Sequence, residues 1–272
     1  MEWKNIYRGM IMGASDIVPG VSGGTIAVLL GIYDQFIGAI NGIFSRDWKK
    51  HLSFLVPLAI GVAAAILTLG RIMDWLLKNY PSPTFYFFLG LIIGILPLLF
   101  RESNAKTTFK LQHILLLIAG FILVGLLAFF KDPNEGAVIV DKTMSTYVLL
   151  FFSGVLASAA MILPGISGSL VFLIMGVFPT VMAAITNFEI LTMAIIAAGI
   201  FIGIMTISKI IHFFLKRYHT GTFAVIIGSV IGSIVVIFPG WPISIPYLFV
   251  SIATFAVGLF VAYILGKVEY EE

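Results

Sequence analysis

The sequence predicts an all-α polytopic membrane protein made of two inverted-topology repeats. Three observations point there: composition, the length of the apolar runs, and a motif that occurs twice. Of 272 residues, 60% are hydrophobic and 11% charged, with a mean hydropathy of +1.10. Soluble domains are about 45–50% apolar and about 25% charged. The 16 basic and 13 acidic residues are too few to clothe a water-exposed surface. A net charge of +3 gives no basic face for nucleic acid. Cysteine is absent, which excludes disulfides, thiolate metal ligands and cysteine nucleophiles. Lys4 and Arg8 precede an apolar stretch, but Asp16 interrupts it and no small-residue cleavage site follows, so this segment is expected to be retained.

Charges divide the chain into apolar runs. Crossing the hydrocarbon takes about 20 apolar residues per helix. Six runs fit one crossing each: 52–77, 84–100, 111–130, 190–215, 222–238 and 247–266. Two runs, 9–44 and 143–188, are longer and broken by proline and glycine. Each of these is a re-entrant hairpin or a pair of crossings.

The breaks contain the repeated motif. Residues 18–26 read VPGVSGGTI and residues 163–171 read LPGISGSLV. Pro19, Gly20, Ser22, Gly23 and Gly31 align with Pro164, Gly165, Ser167, Gly168 and Gly176. Further on, Gly61, Thr68, Arg71, Lys78 and Tyr80 align with Gly199, Thr206, Lys209, Lys216 and Tyr218. Gly90 and Gly94 align with Gly228 and Gly232. A run of matches in register marks an internal duplication. Residues 1–142 and 143–272 are therefore read as two copies of one unit, forming one integrated membrane domain.

Topology follows from parity. A broken run contributes zero or two crossings, and three single helices follow it in each half. Each half is then odd, and the second enters from the opposite side. With both termini in the cytoplasm, Lys4, Arg8, Arg46, Lys49, Lys50, Arg101, Lys106, Lys110, Lys216, Arg217 and Lys267 fall inside. Lys78, Lys131 and Lys142 fall outside, which satisfies the positive-inside rule. Between Arg8 and Ser22 the first arm has 13 residues, roughly 20 Å of helix. That reaches mid-membrane without crossing. The matching arm, 143–163, is long enough to span, so the second hairpin is left open between re-entry and spanning.

Proline and glycine at mid-membrane leave backbone groups that only protein or water can satisfy. Ser22 and Ser167 suit the N-caps of the helices that follow. The amides of Gly23, Gly24 and Thr25, and of Gly168, Ser169 and Leu170, are then expected to point at the breaks. A helix N-terminus favours anions, and two of them approaching from opposite faces suit a phosphate or carboxylate. The same glycines would also serve close helix packing. Arg71 and Lys209 occupy one repeat position inside the runs. They are candidate cations at the outer and inner mouths, with snorkelling to headgroups as the competing role. Asp16, whose counterpart is Met161, would bind a coupling proton or Na⁺, or accept hydrogen bonds from the broken backbone. His51, His113, His212 and His219 show no acid at metal-ligand spacing, so neither metal nor cofactor is expected.

The stretches GASDIVPGVSGGTIAVLLGIYD and LPGISGSLVFLIMGVF resemble the paired signatures of the bacterial polyprenyl-phosphate transporter family. The resemblance covers nearly the whole chain. It implies a flippase returning undecaprenyl phosphate from the outer to the cytoplasmic leaflet of the bacterial cytoplasmic membrane, for carrier-lipid recycling in cell-wall synthesis. The signature falls on Asp16, Pro19, Gly20, Ser22, Gly23, Gly24 and Thr25, and on Pro164, Gly165, Ser167, Gly168 and Ser169. Leu170 replaces the threonine of the first copy, which makes the tips unequal donors. Without the resemblance, the residues themselves say only anion-binding transporter. A membrane-embedded lipid-pyrophosphate phosphatase and a carrier of a small soluble anion remain as alternatives. The first lacks a Glu or His near either tip to serve as base.

Overall fold

The computed structural model describes residues 2–18, 20–130, 137–242 and 244–270. Pro19 of the first break and Lys131 of the expected outer set lie outside them. Among the described residues the regular structure is helical throughout.

Helix α1 (Lys4–Asp16) leads into the first break. Two short helices follow, α2 (Gly23–Leu29) and α3 (Tyr33–Gly42), bent 120° from one another. Then come α4 (Trp48–Asn79), α5 (Pro81–Glu102), the single turn α6 (Ala105–Thr108) and α7 (Leu111–Leu126), which tightens into a 3₁₀ turn over Leu127–Phe130. The second half repeats the order. Helix α8 (Met144–Ile162) leads to α9 (Gly168–Ile174) and α10 (Phe178–Thr186), bent 114°. Helices α11 (Ile190–Arg217), α12 (His219–Ile237) and α13 (Ile245–Tyr270) complete it. Seven of these, α4, α5, α7, α8, α11, α12 and α13, are long and apolar enough to cross a membrane. Several extend past the apolar runs, because terminal turns carry charges such as Lys78 and Arg217 into the polar interface.

Corresponding positions share unusual backbone. Gly20 and Gly165 both have φ 93°, in the left-handed region that glycine enters without a Cβ clash. Tyr80 and Tyr218, each between two long helices, have φ −135° with ψ of 55° and 50°.

The long helices pack in four parallel pairs. In α1 and α4, the Glu2 amide donates to Ser53 O, and Gly13 touches Val62. In α8 and α11, Lys142 pairs with Glu189 at the start, and Gly203 meets Val155 further along. In α5 and α13, Thr254 donates to Pro83 O, and Gly266 touches Leu98. In α7 and α12, Leu116 touches Gly221, and Val124 approaches Gly232. Because α4 runs parallel to α1, the chain between them comes back to the end of the pair at which α1 begins. The same holds for α8 and α11. Arg8 and Tyr7 both bond Glu269 near the end of α13, so the first helix and the last meet at one end of the molecule.

Lipid is as apolar as leucine, so helix association rests on close packing rather than on the hydrophobic effect. Small residues make that packing possible. A Cβ on Gly90 would stand 2.1 Å from Phe255 O, and one on Gly228 1.9 Å from Leu117 O. At the centre, α2 is buried along its whole length, with Ile26 and Leu29 fully enclosed. Helix α9 is only partly covered.

Candidate functional site

Helix α1 ends at Asp16, and the chain turns through Gly20 before Ser22, whose extended backbone (φ −124°, ψ 144°) places it as the N-cap of α2. Ser22 Oγ accepts the Thr25 amide at 3.2 Å. The Asp16 carboxylate folds over the same helix start and accepts the Gly23 amide at 2.6 Å. Two of the three amides expected to be free at this tip are thus already taken by side chains of the chain itself. This corrects the sequence expectation. It also shows the Asp16 carboxylate as a backbone acceptor, filling the position where an anion was expected.

Across the break in the second hairpin, Pro164 stops α8 and leaves its last carbonyls without helical partners. The first hairpin supplies them. Tyr33 Oη donates to Ile162 O at 3.3 Å. Ser22 Oγ lies 3.5 Å from Leu163 O, and 3.1 Å from Thr25 Oγ1, which accepts the Gly165 amide at 2.8 Å. A hydroxyl has one proton and two lone pairs. The protons therefore run in one direction, from Gly165 N–H to Thr25, from Thr25 to Ser22, and from Ser22 to Leu163 O. The two breaks meet, and Ser22 and Thr25 stitch them together. Gly24 lets them approach, since a Cβ there would lie 2.6 Å from Ile162 O.

The second tip differs. Ser167 Oγ makes no cap bond and instead pairs with Ser169 Oγ at 2.8 Å. Among the described residues, the amides of Gly168, Ser169 and Leu170 have no hydrogen-bond partner. Ser22, Thr25 and Ser167 are 1–3% exposed, whereas Gly168 and Ser169 are half-buried. Polar capacity at the junction is therefore spent within the first tip and available at the second.

Next to the junction lies a cavity of about 1250 Å³ between α7, α11 and α12. Tyr33 and Leu163 close its deep end, so it reaches the residues that join the hairpins. Its walls are apolar, including Leu115, Leu116, Ile207, Ile210 and Phe214. Leu115 and Ile210, on α7 and α11, are 58% and 46% exposed, so the cavity is walled here by residues that are not packed against other helices. Gln112, His113, Arg217 and His219 stand at its other end. Neither Arg71 nor Lys209 reaches the tips. Arg71 is exposed on α4, and Lys209, also exposed, lines a smaller pocket with Lys216 and Arg217. Sequence reasoning missed Tyr33 and the cavity. The alignment of Gly31 with Gly176 held a further signal: both have positive φ (63° and 68°) at the bend inside each hairpin.

Seven apolar helices with two interlocked, bent hairpins among them define a multi-pass membrane protein. The chain belongs to the undecaprenyl phosphate translocase-like family, whose model matches residues 12–251. It is 44% identical over 278 residues to a polyprenyl-phosphate transporter of Staphylococcus aureus, covering 99% of this chain and 98% of that protein. It is 36% identical over 253 residues to a polyprenyl-phosphate transporter of Vibrio cholerae, covering 88% of this chain and 79% of that protein. No solved structure matches the chain.

Proposed function

We propose that this protein translocates a polyprenyl phosphate, undecaprenyl phosphate in particular, from the outer to the cytoplasmic leaflet of a bacterial cytoplasmic membrane. The observation that carries the reading is the junction of the two hairpin breaks beside a large apolar cavity walled by exposed residues of α7 and α11. A lipid phosphate needs both parts: a polar station for the headgroup within the bilayer and apolar room for the chain. An ionised phosphate in hydrocarbon without partners is prohibitively costly. Hydroxyls and unpaired amides lower that cost by standing in for water.

The inverted arrangement is part of the proposal. Helix α5 corresponds to α12 and α7 to α13, yet α5 runs parallel to α13 and α7 to α12. If successive spans alternate, this pairing is what two copies of opposite orientation produce. The meeting of Arg8 with Glu269 supports termini on a common side, which the charge bias assigns to the cytoplasm. The cavity then faces the cytoplasmic half. The phosphate would pass Arg71 from outside, reach the tips at Ser22, Gly23, Gly24, Thr25, Ser167, Gly168 and Ser169, and leave toward Lys209. The breaks containing Pro19, Gly20, Pro164 and Gly165 would be the points about which the tips rearrange.

Ser167 and Ser169 give the cleaner test, because Ser167 Oγ bonds only Ser169 Oγ among the described residues. Ser22→Ala also removes a helix cap, worth about 0.5–2 kcal/mol of stability. A Ser167→Ala, Ser169→Ala double variant is expected to slow movement of a fluorescent polyprenyl phosphate in proteoliposomes by about fivefold to about 150-fold, from two lost hydrogen bonds of about 0.5–1.5 kcal/mol each. Wild-type rates in a stable double variant would remove the second tip from the path.

A further inference from the structure

The two hairpins are not packed alike. In the register that aligns Gly31 with Gly176, α3 corresponds to α10; in the register that aligns Gly61 with Gly199, α4 corresponds to α11. Helix α3 lies against α11 of the other half. Asn41 Nδ2 donates to Ser208 O at 2.8 Å and to Ile37 O, on its own helix, at 2.9 Å. Just past α3, the Phe44 ring meets Phe201 of α11 edge-on, with centroids 6.5 Å apart. Ile37 and Ile40 are 0% and 5% exposed, and Ser208 is fully buried. The matching residues of α10 and α4 are uncovered. Met182 and Ile185, which correspond to Ile37 and Ile40, are 46% and 49% exposed. Leu67, which corresponds to the half-buried Met205, is 80% exposed. Gly70 stands where α11 has Ser208, and a Cβ added there has nothing within 4 Å. Contact with lipid costs an apolar side chain nothing, so exposure alone would carry no meaning. The correspondence carries it: one hairpin is seated on the opposite half, the other is not, and the matching seat on α4 lies open.

We propose that α10 has a second seat, on α4 at Gly70, which it takes in the opposite-access conformation as α3 leaves Ser208. Thr186 occupies the place of Asn41, and its Oγ1 donates to Met182 O at 2.9 Å, the match of the bond from Asn41 to Ile37. In the second seat Thr186 faces Gly70 O, and Met182 and Ile185 are covered by the α4 face that carries Ile66, Leu67 and Gly70. Gly176, at the bend before α10, also has nothing within 4 Å of an added Cβ, so α10 has room to turn about it. The seats differ in strength. A carboxamide has two N–H protons and serves Ser208 O and Ile37 O together, whereas a threonine hydroxyl has one, already on Met182 O. Seating α10 therefore exchanges a hydrogen bond where seating α3 adds one. That makes α3 on α11 the favoured arrangement, and it is the one described. The existence of a second conformation rests on the translocation reading; the surfaces that meet in it follow from the repeat register.

The cysteine-free chain suits disulfide trapping in membranes with copper phenanthroline. A disulfide needs Cα atoms within about 7 Å, so a Gly70→Cys, Thr186→Cys pair closes only when the second seat is visited. The pair is expected to cross-link within one chain, and about fivefold faster when Asn41→Ala removes the bond to Ser208. Thr68→Cys lies two residues from Gly70, on the far side of α4, and should link to Thr186→Cys about tenfold more slowly. In proteoliposomes, Gly70→Trp should slow a fluorescent polyprenyl phosphate at least about tenfold by blocking the seat. Its thermal stability in detergent should stay unchanged, because the position is open in the conformation described. Gly70→Ser, which installs the residue of the other copy, should transport as wild type. Absence of the cross-link in both backgrounds overturns the proposal, as does wild-type transport by Gly70→Trp. A cross-link between two chains overturns it in favour of α4 as an interface between copies. If the pair links within one chain but wild-type protein moves no polyprenyl phosphate, the translocation reading fails and the second seat stands.

Discussion

At the scale of single residues, Asp16 decides how the first tip is read. Its carboxylate takes the Gly23 amide at a point where no water-filled channel is needed to explain it. Asp16→Ala strands a buried donor, a loss of about 1–3 kcal/mol. Asp16→Asn keeps an acceptor oxygen and gives up only the charge. If the acceptor role is the one that matters, Asn should retain most transport and most thermal stability in detergent, while Ala loses both. Equal, complete loss of transport in two stably folded variants would instead return Asp16 to the role of proton or Na⁺ carrier. The motif pointed to the serines and glycines of this junction, because proline and glycine in a long apolar run force a break. It offered Asp16 two roles, ion carrier or acceptor for the broken backbone, and could not choose between them or name the Gly23 amide. A carboxylate seven residues upstream reaches the tip only after Gly20 has turned the chain.

At the scale of elements, each single apolar run forms one long helix, the 111–130 run closing in a 3₁₀ turn, because hydrocarbon leaves the backbone few other ways to satisfy itself. The bend within each hairpin was less legible. Gly31 and Gly176 sit in apolar sequence, and nothing local distinguishes a left-handed glycine from a packing one. The cavity was not legible at all. Leu115 and Ile210 read alike whether they face lipid or line a chamber. Packing glycines separate by experiment. Gly228 on α12 approaches Leu117 O so closely that Gly228→Ala must push α7 and α12 apart. Gly70, on the open side of α4, has nothing within 4 Å of an added Cβ. Gly70→Ala should leave thermal stability in detergent unchanged or raise it, by about 0.5–1 kcal/mol of helix propensity. Gly228→Ala should lower it clearly. Equal effects at the two sites would mean that the α7–α12 contact is looser than described.

At the scale of the whole molecule, the opposed orientation proposed for the halves has consequences that no single contact shares. It requires the loops before α4 and after α5 to lie on one side, and the segment before α8 and the α12–α13 loop on the other. The chain is free of native cysteine, so single introduced thiols report without background. Val140 and Trp241 are 84% and 80% exposed, and Asp47 and Glu102 are exposed at the opposite end. In intact cells, a membrane-impermeant maleimide is expected to label Val140→Cys and Trp241→Cys. Asp47→Cys and Glu102→Cys should label only after the membrane is permeabilised. Two copies of the same orientation would place the α12–α13 loop with the α5–α7 loop, so Trp241→Cys and Glu102→Cys would then label together. Opposed copies would also supply the physical basis for the proposed movement of a headgroup. Each half can present one broken hairpin from its own face, and the contacts that hold the tips together can be exchanged for contacts with phosphate. In the conformation described here the first tip is closed on itself and the second is partly open beside a chamber with a basic end. That asymmetry is what the proposed translocation cycle requires of one end state, with the opposite access formed when the two tips trade roles.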